Sequence, residues 1–476
     1  MAVPIVAMVA GGVFASACSR ENADIPQLYI VSPHGSDIRH EFEQAFSDWH
    51  QQHFGTPVHI NWPDIGGGGT GNITRYLEAQ YKAGPSSGYD MVWGGGSATF
   101  EIYRKAGFLV KPELPDAVLN SVPADIFGTP LHGAGNLWIS ATMSNFGIVV
   151  NKDRLADMGL AMPRTWADLT GAGWFRNLSL ADPSKSGSVL TSYDMVFAQY
   201  GWEAGWGDMV RMFANAEAVR DSGSAPADDV GSANAIAGIA IDFFGRKEVV
   251  RVGKKIVTFI IPAGGSTIDP EPIAVLKGAP HAKLAAEFEQ YVLSEEGQKL
   301  WTFRAGTPGG PRHFVLGRLS ILPQLYKNDA QYMFDPTDPF SSAEPLKADA
   351  RAQGYRRAFL GDLIKAALVD NHAALKAARK AVMDAGDPPD LLARFDTLPD
   401  FAPARLDASG NLVHDPARPV TAKDLGELAA EFKPTDPRMK GYAERLQTGL
   451  TEGWRQQFGS LFESIRAEAE RRRAAK

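Results

Sequence analysis

The chain has 476 residues, 44% hydrophobic and 22% charged, with a formal net charge of -7. That length supports two or three domains with their own cores, and the composition is that of a folded soluble protein. The acidic balance excludes a general nucleic-acid binder, and the absence of CxxC, HExxH and GxxxxGK[ST] excludes the common zinc, metalloprotease and P-loop signatures.

Residues 1–17 are apolar and uncharged and end in Ala15, Ser16 and Ala17 before Cys18, the one cysteine of the chain. Such a run is too short for a stable bilayer span and carries the small residues of a signal-peptidase site. A cysteine after Ala-Ser-Ala resembles a bacterial lipobox, with Ala15 where that pattern prefers leucine. The resemblance implies lipidation at Cys18; the alternative is an ordinary cleaved signal with an incidental cysteine. Both predict export, with residues 1–18 as the signal segment.

Residues 27–31 form a β-type run, followed by the turn Ser32-Pro33-His34-Gly35-Ser36. Ile38, Phe42, Phe46 and Trp49 then recur at helical spacing and predict a core-facing helix. A second strand is expected over 58–62. It opens into glycines 66–69 and then Thr70, Gly71 and Asn72 at the start of a helical pattern. A third, 89–93, runs into Gly94, Gly95, Gly96 and Ser97. Strands alternating with helices at this spacing indicate βαβ units, whose ligands sit at the carboxyl ends of the strands. Residues 138–151 predict a long extended stretch passing from one lobe to the next, with Ser140 near the boundary. Residues 182–188 repeat the glycine-and-hydroxyl pattern before another helix, with Ser186, Gly187 and Ser188 at its start. Free N–H groups and the positive dipole end at such junctions favour an anion. Two of them, each after a strand-like run, predict a ligand held between two α/β lobes. Residues 256–262 lead through a glycine turn to 271–275 as the return crossing. Beyond residue 330 the chain becomes proline-punctuated and helical over 356–384 and 440–473. In the last of these, Tyr442, Leu446, Leu450, Trp454, Phe458 and Phe462 make an apolar stripe that predicts packing on the main body.

From about Leu28 to Arg304 the order and spacing of these pieces resemble a bacterial solute-binding protein of an ABC importer, in the group that includes ferric-ion binders. The resemblance is carried by 32–34, 92–96, 146–151, 163–169, 180–188, 270–281 and 291–298. It implies the periplasmic-binding-protein type II fold: an α/β protein of two lobes, each a mainly parallel sheet flanked by helices. Residues 27–138 and 270–330 form lobe 1, 139–269 lobe 2, and 331–476 a helical extension with no counterpart in the resemblance. It further implies hinge closure on a small ligand and delivery to a permease in the cytoplasmic membrane, with the receptor a monomer held to the membrane only by a lipid. Ferric relatives bind metal through adjacent tyrosines, whereas the corresponding segment here is Ile241-Asp242-Phe243-Phe244-Gly245, which has no phenol oxygen for a hard cation. Ser186-Gly187-Ser188 resembles the family's anion site. The expected ligand is therefore an organic or phosphorylated anion, without cofactor or metal. It is contacted by His34, Thr70, Gly71, Asn72, Gly96, Ser97, Ser140, Ser186, Gly187, Ser188 and Asp242, with Asp242 free to pair with an amine. Iron held by other ligands and an exported hydrolase are the competing readings. No G-x-S-x-G elbow is present and the 10 histidines are scattered singly. A sensor that binds both a ligand and a membrane partner through the extension is a third.

Overall fold

The computed structural model describes residues 25–65, 69–341, 346, 350–400, 429–430 and 440–475. Residues 1–24 with Cys18, glycines 66–68 and the proline-rich stretch 401–428 lie outside the described residues.

In chain order the strands are β1 (Gln27–Val31), β2 (His59–Asn61), β3 (Met91–Trp93), β4 (Leu109–Val110) and the short hairpin β5 (Asp125–Ile126) and β6 (Thr129–Pro130). They continue as β7 (Ile139–Ser144), β8 (Phe146–Asn151), β9 (Leu178–Ala181), β10 (Ala216–Arg220), β11 (Ala237–Ile241), β12 (Val257–Ile260) and β13 (Asp269–Leu276). Two α/β lobes result. The first sheet runs β2-β1-β3-β13-β4 with β7 also on β13, and the second runs β10-β9-β11-β8-β12. Both sheets are mixed, where mainly parallel ones were expected. β1 is parallel to β2 and β3, but β13 is antiparallel to β3, β4 and β7. In the second sheet β9 is parallel to β10 and β11, while β8 is antiparallel to β11 and β12. The antiparallel members β7, β8 and β13 are the strands at the passages between sheets, so the chain's direction of travel imposes the mixture.

The continuous strand expected over 138–151 is two strands. β7 pairs with β13 in the first sheet and β8 with β11 and β12 in the second, so the passage lies at Asn145. The boundary expected at 138/139 coincides with the head of β7, whereas the chain changes sheets six residues later, at Asn145.

The apolar spacing read from the sequence is realised in the first lobe. Ile38, Phe42, Phe46 and Trp49 lie on the buried side of the helix Ser36–Phe54 and pack with Leu28, Ile30, Trp93, Phe288 and Trp301. Extension and second lobe share a single core. Leu446, Leu450, Trp454, Phe458 and Phe462 of the helix Lys440–Ala474 join Trp206, Phe213, Phe359 and Leu368 in it. The expected helix over 356–384 divides into Ala350–Ile364, a π-helical turn Lys365–Val369 and His372–Asp384. Trp206 Nε1 donates to Thr397 O at 2.9 Å and its ring meets Phe458 at 5.3 Å. Burying such aromatics ties the extension to lobe 2 as one body. Among the described residues no helix is long and apolar enough to cross a membrane.

One core position works against stability. Glu289, on the helix Ala282–Leu293 among Leu284, Phe288 and Tyr291, is fully buried and neither carboxylate oxygen has a hydrogen-bond partner. Burial pushes its carboxyl well above the ordinary range. A raised acid is favourable while protonated, so its contribution is present below the unfolded value and lost as pH rises through the folded one. Glu289→Leu is expected to stabilise the protein by about 1–3 kcal/mol at neutral pH. The gain should shrink on acidification, read from urea midpoints at pH 7 and pH 4.5.

Candidate ligand-binding cleft

Four loops meet at the ends of strands. After β1 comes Ser32–Gly35, after β3 Gly94–Ser97, after β2 the start of the helix Thr70–Ala83, and after β9 the segment 182–188. Backbone freedom matters at Gly94 and Gly95, with φ of 91° and 90°. A Cβ on Gly94 would lie 2.6 Å from His34 Nε2, and one on Gly95 would lie 2.1 Å from Thr70 Cγ2. Only glycine lets this turn pass between those side chains.

The two loops singled out in the sequence face each other. A Cβ on Gly187 would stand 3.8 Å from Thr70 Oγ1, across the gap between lobes. Gly187 opens the helix Gly187–Tyr200, whose N-cap Ser186 makes no side-chain hydrogen bond to a first-turn amide. Ser186 and Ser188 instead meet hydroxyl to hydroxyl at 3.1 Å, and a Cβ on Gly223, in the loop after β10, would lie 2.7 Å from Ser186 Oγ. The Ser186 side chain thus caps none of the first-turn amides. On the lobe 1 side, Ser97 Oγ donates to Asp269 Oδ1 at 3.1 Å, and Asp269 also lies 2.8 Å from a Cβ placed on Gly96. Burial pushes the Asp269 carboxyl up to about 6, against the pull of Arg357. Gly71 is exposed beside Thr70, whereas Asn72 accepts a hydrogen bond from Arg75 and is turned to its own helix.

Behind these loops, at the passage between sheets, lies a buried charge network. His34 sits edge-on to Trp93, with ring centroids at 4.5 Å, and its Nε2 is 3.6 Å from Glu271 Oε2. Burial lowers its pKa, the Glu271 contact opposing and Arg318 adding to the effect. Glu271 receives Arg318 Nη1 at 2.5 Å and the Ser144 hydroxyl at 3.1 Å. Burial alone would raise the Glu271 carboxyl, but the Arg318 guanidinium and the His34 contact hold it down at about 2. Arg318 stacks 3.9 Å above the Phe243 ring of the second lobe. Next to it Asp242 is fully buried, its Oδ1 accepting from Phe243 N at 2.8 Å and its Oδ2 3.8 Å from Arg246 Nη1. Burial pushes its carboxyl up to about 6, opposed by Arg246 and Arg318. Arg246 Nη1 donates to Gly317 O at 3.1 Å and Arg246 Nη2 meets Asp335 at 3.0 Å, which bridges the two lobes again.

The structure therefore brings together Thr70, Gly96, Ser97, Ser186, Gly187 and Ser188, and sets His34 and Asp242 in the network behind them. It differs at Ser140, which is fully buried in the first sheet with its hydroxyl donating to Thr142 O at 2.8 Å. Position along an extended stretch does not reveal which side a residue faces when both sides are covered. Glu271, Asp269, Arg318 and Arg246, which the fold gathers here, were not singled out in the sequence. A signal existed for Glu271, a carboxylate between Pro270 and Pro272 at the head of the apolar run 273–276. None existed for Arg318, in an irregular segment whose partners are distant in sequence. Among the described residues no group of three or more His, Cys, Asp or Glu is placed to hold a metal ion. A surface cavity beside Glu41, Trp49, Tyr291 and Arg312 involves none of the cleft residues.

Residues 105–315 match the family model described as bacterial extracellular solute-binding protein. The phosphoglycerate transport regulatory protein PgtC of Salmonella typhimurium is 27% identical over 184 residues, 39% of this chain and 45% of that protein. The chain thus spans less than half the length of that curated relative. An uncharacterized protein of Haemophilus influenzae is 26% identical over 235 residues, 49% of this chain and 65% of that protein. Among solved structures, the periplasmic binding protein P5PA is similar with a TM-score of 0.52 at 19% identity, over 68% of this chain and 93% of that one. The ferric binding protein from Campylobacter jejuni is similar with a TM-score of 0.50 at 16% identity, over 67% and 92%. These likenesses show the periplasmic-binding-protein fold, in agreement with the two lobes described above.

Proposed function

We propose, from the extracellular solute-binding pattern of residues 105–315, that the protein is an exported receptor that closes two lobes on a small organic or phosphorylated anion and hands it to an ABC-importer permease. The observation that carries this reading is the approach of Thr70 to Gly187, with uncapped amides on one side and hydroxyls on the other. An anion bound there gains from the helix dipole and from several N–H donors at once. Thr70, Gly71, Gly96, Ser97, Ser186, Gly187 and Ser188 are its contacts in this reading, and closure follows because ligand binds the closed arrangement more tightly than the open one. Lipidation at Cys18 would keep such a receptor beside its permease. The name of the PgtC relative suggests a phosphorylated three-carbon acid as a first probe.

Isothermal titration with 3-phosphoglycerate, glycerate and inorganic phosphate tests the reading. The phosphorylated acid is expected to bind at least about tenfold more tightly than glycerate, equivalent to about 1.4 kcal/mol. Equal affinity would remove the phosphoryl group as a recognised feature. Stoichiometric iron in the purified protein, released only on denaturation, would overturn the anion reading in favour of a metal cargo.

A further inference from the structure

The surface cavity of lobe 1 has the make-up of a second binding site. It measures about 460 Å³, the size of a small-molecule site, and is lined from the helices Ser36–Phe54, Ala282–Leu293 and Glu295–Thr302 and the loop 306–312. The loop wall is fixed from inside the fold. Glu41, only 2% exposed, accepts from Arg312 N at 2.7 Å, His313 N at 2.6 Å and Phe314 N at 2.7 Å. Gly306 N donates to Pro311 O at 2.8 Å and Gly310 N to Thr307 O at 2.9 Å, so the loop also closes on itself. A wall held in both ways is formed before any ligand arrives.

Tyr291 marks the floor. Its ring is packed in the lobe 1 core, with centroids 5.7 Å from Phe46 and 5.5 Å from Trp49. The residue is 3% exposed, yet it lines the cavity, and its hydroxyl has no hydrogen-bond partner among the described residues. A buried phenol ordinarily finds one. Burial raises this phenol, with Glu296 and Asp48 adding to the effect and Arg312 opposing it, so the charges acting on it are those of the cavity's rim. That rim is acidic: Glu41, Asp48 and Glu296 stand against Arg312. Arg312 is taken by Asp48 and Glu41 by its amides, which leaves exposed Glu296 with no ion pair among the described residues. Trp49 and Leu300 supply an apolar side.

An unanswered hydroxyl beside an unpaired carboxylate and an apolar wall suits a cationic head with N–H donors on a short hydrocarbon body. We infer that this cavity is a second ligand site, for a protonated aliphatic amine, with the head between Glu296 and the Tyr291 hydroxyl and the body against Trp49 and Leu300. An ammonium is preferred to a metal ion, because among the described residues no group of three or more His, Cys, Asp or Glu is placed to hold one. Every lining residue belongs to lobe 1, so the amine does not distinguish open from closed lobes and its binding is independent of the cleft.

Titration of n-hexylamine and n-hexanol into the full chain at fixed ionic strength, read by saturation-transfer NMR, tests this. The amine is expected to bind at least about tenfold more tightly than the alcohol. Glu296→Gln should weaken the amine about tenfold and Tyr291→Phe about three- to tenfold, with thermal midpoints within a degree or two of wild type, since Glu296 is exposed and phenylalanine keeps the ring of Tyr291. Equal affinity for amine and alcohol would overturn the assignment of a cation. Full amine affinity in both variants would place the amine elsewhere and overturn the site. Absence of saturable amine binding below about 10 mM would overturn the inference as a whole. A change in amine affinity on adding 3-phosphoglycerate would overturn its independence from the cleft.

Discussion

Arg318→Met is expected to lower stability by about 3–5 kcal/mol at neutral pH, among the largest losses available to a single substitution here. Arg318 is buried beside Glu271, whose carboxyl it holds near 2, and methionine fills similar volume without charge. The loss is then not a cavity effect but the cost of leaving a buried carboxylate without its cation. Glu271 has a folded value below its unfolded one of 4.5, so its contribution is complete above about 4.5 and disappears as pH falls towards 2. Urea unfolding at pH 7 and at pH 3 should therefore show the gap between wild type and variant narrowing on acidification. A gap of the same size at both values would mean that packing over Phe243 and Trp301, and not the charge, accounts for Arg318. The double variant Glu271→Gln with Arg318→Met should recover part of the loss, since neither buried charge remains. The same residue also bears on closure: its guanidinium comes from the lobe 1 side and rests on Phe243 of lobe 2, so weaker coupling between lobes should accompany the lost stability.

How far the chain could be read in advance depended on distance along it. The strand-then-glycine units at 27–36 and 89–97 were legible because hydrophobic run, turn chemistry and helix start lie within about ten residues. The stripe from Leu446 to Phe462 was legible for the same reason, as period 3.6 is a local property. Thr70 and Ser186 could be singled out because each stands at a loop-to-helix junction; that they face one another is a fact of the folded chain. The buried network was illegible. His34, Glu271 and Arg318 carry no spacing rule that joins them, and charged residues are read by default as solvated. The break at Asn145 was hidden because the apolar run 146–150 follows the extended stretch 138–144 almost without interruption, so periodicity gave no boundary. The extension's place on lobe 2 was hidden for a different reason. Its helical pattern predicts that it packs on something, but only contacts such as those of Trp206 with Thr397 and Phe458 say on what.

Gly187→Phe should reduce ligand affinity more than about 100-fold while leaving both lobes folded, and it isolates closure from folding. Gly187 is exposed at the first position of its helix, and its missing Cβ points towards Thr70 Oγ1 at 3.8 Å. A phenyl ring there needs several ångströms of space that exists only when the lobes stand apart. In the open arrangement the ring projects into water and disturbs no core residue, so the thermal midpoint without ligand should barely change. In the closed arrangement it would drive into the Thr70 loop, and steric overlap of that kind shifts the equilibrium towards the open state by several kcal/mol. A ligand can move a two-state equilibrium only by its differential affinity for the two states, so the penalty on closure appears directly in the measured affinity. Small-angle scattering gives the independent readout: wild type should contract on adding 3-phosphoglycerate, and Gly187→Phe should not. A variant that contracts and binds normally would place the ligand elsewhere than between Thr70 and Gly187. Loss of binding with normal contraction would mean that the ring displaces ligand without blocking the hinge. Milder changes complete the argument, because Ser188→Ala and Thr70→Val remove single hydroxyls and should each weaken binding by about tenfold without affecting contraction at saturating ligand. The difference between a wedge that prevents closure and hydroxyl losses that only weaken it is what a two-lobed receptor requires and a rigid surface site does not.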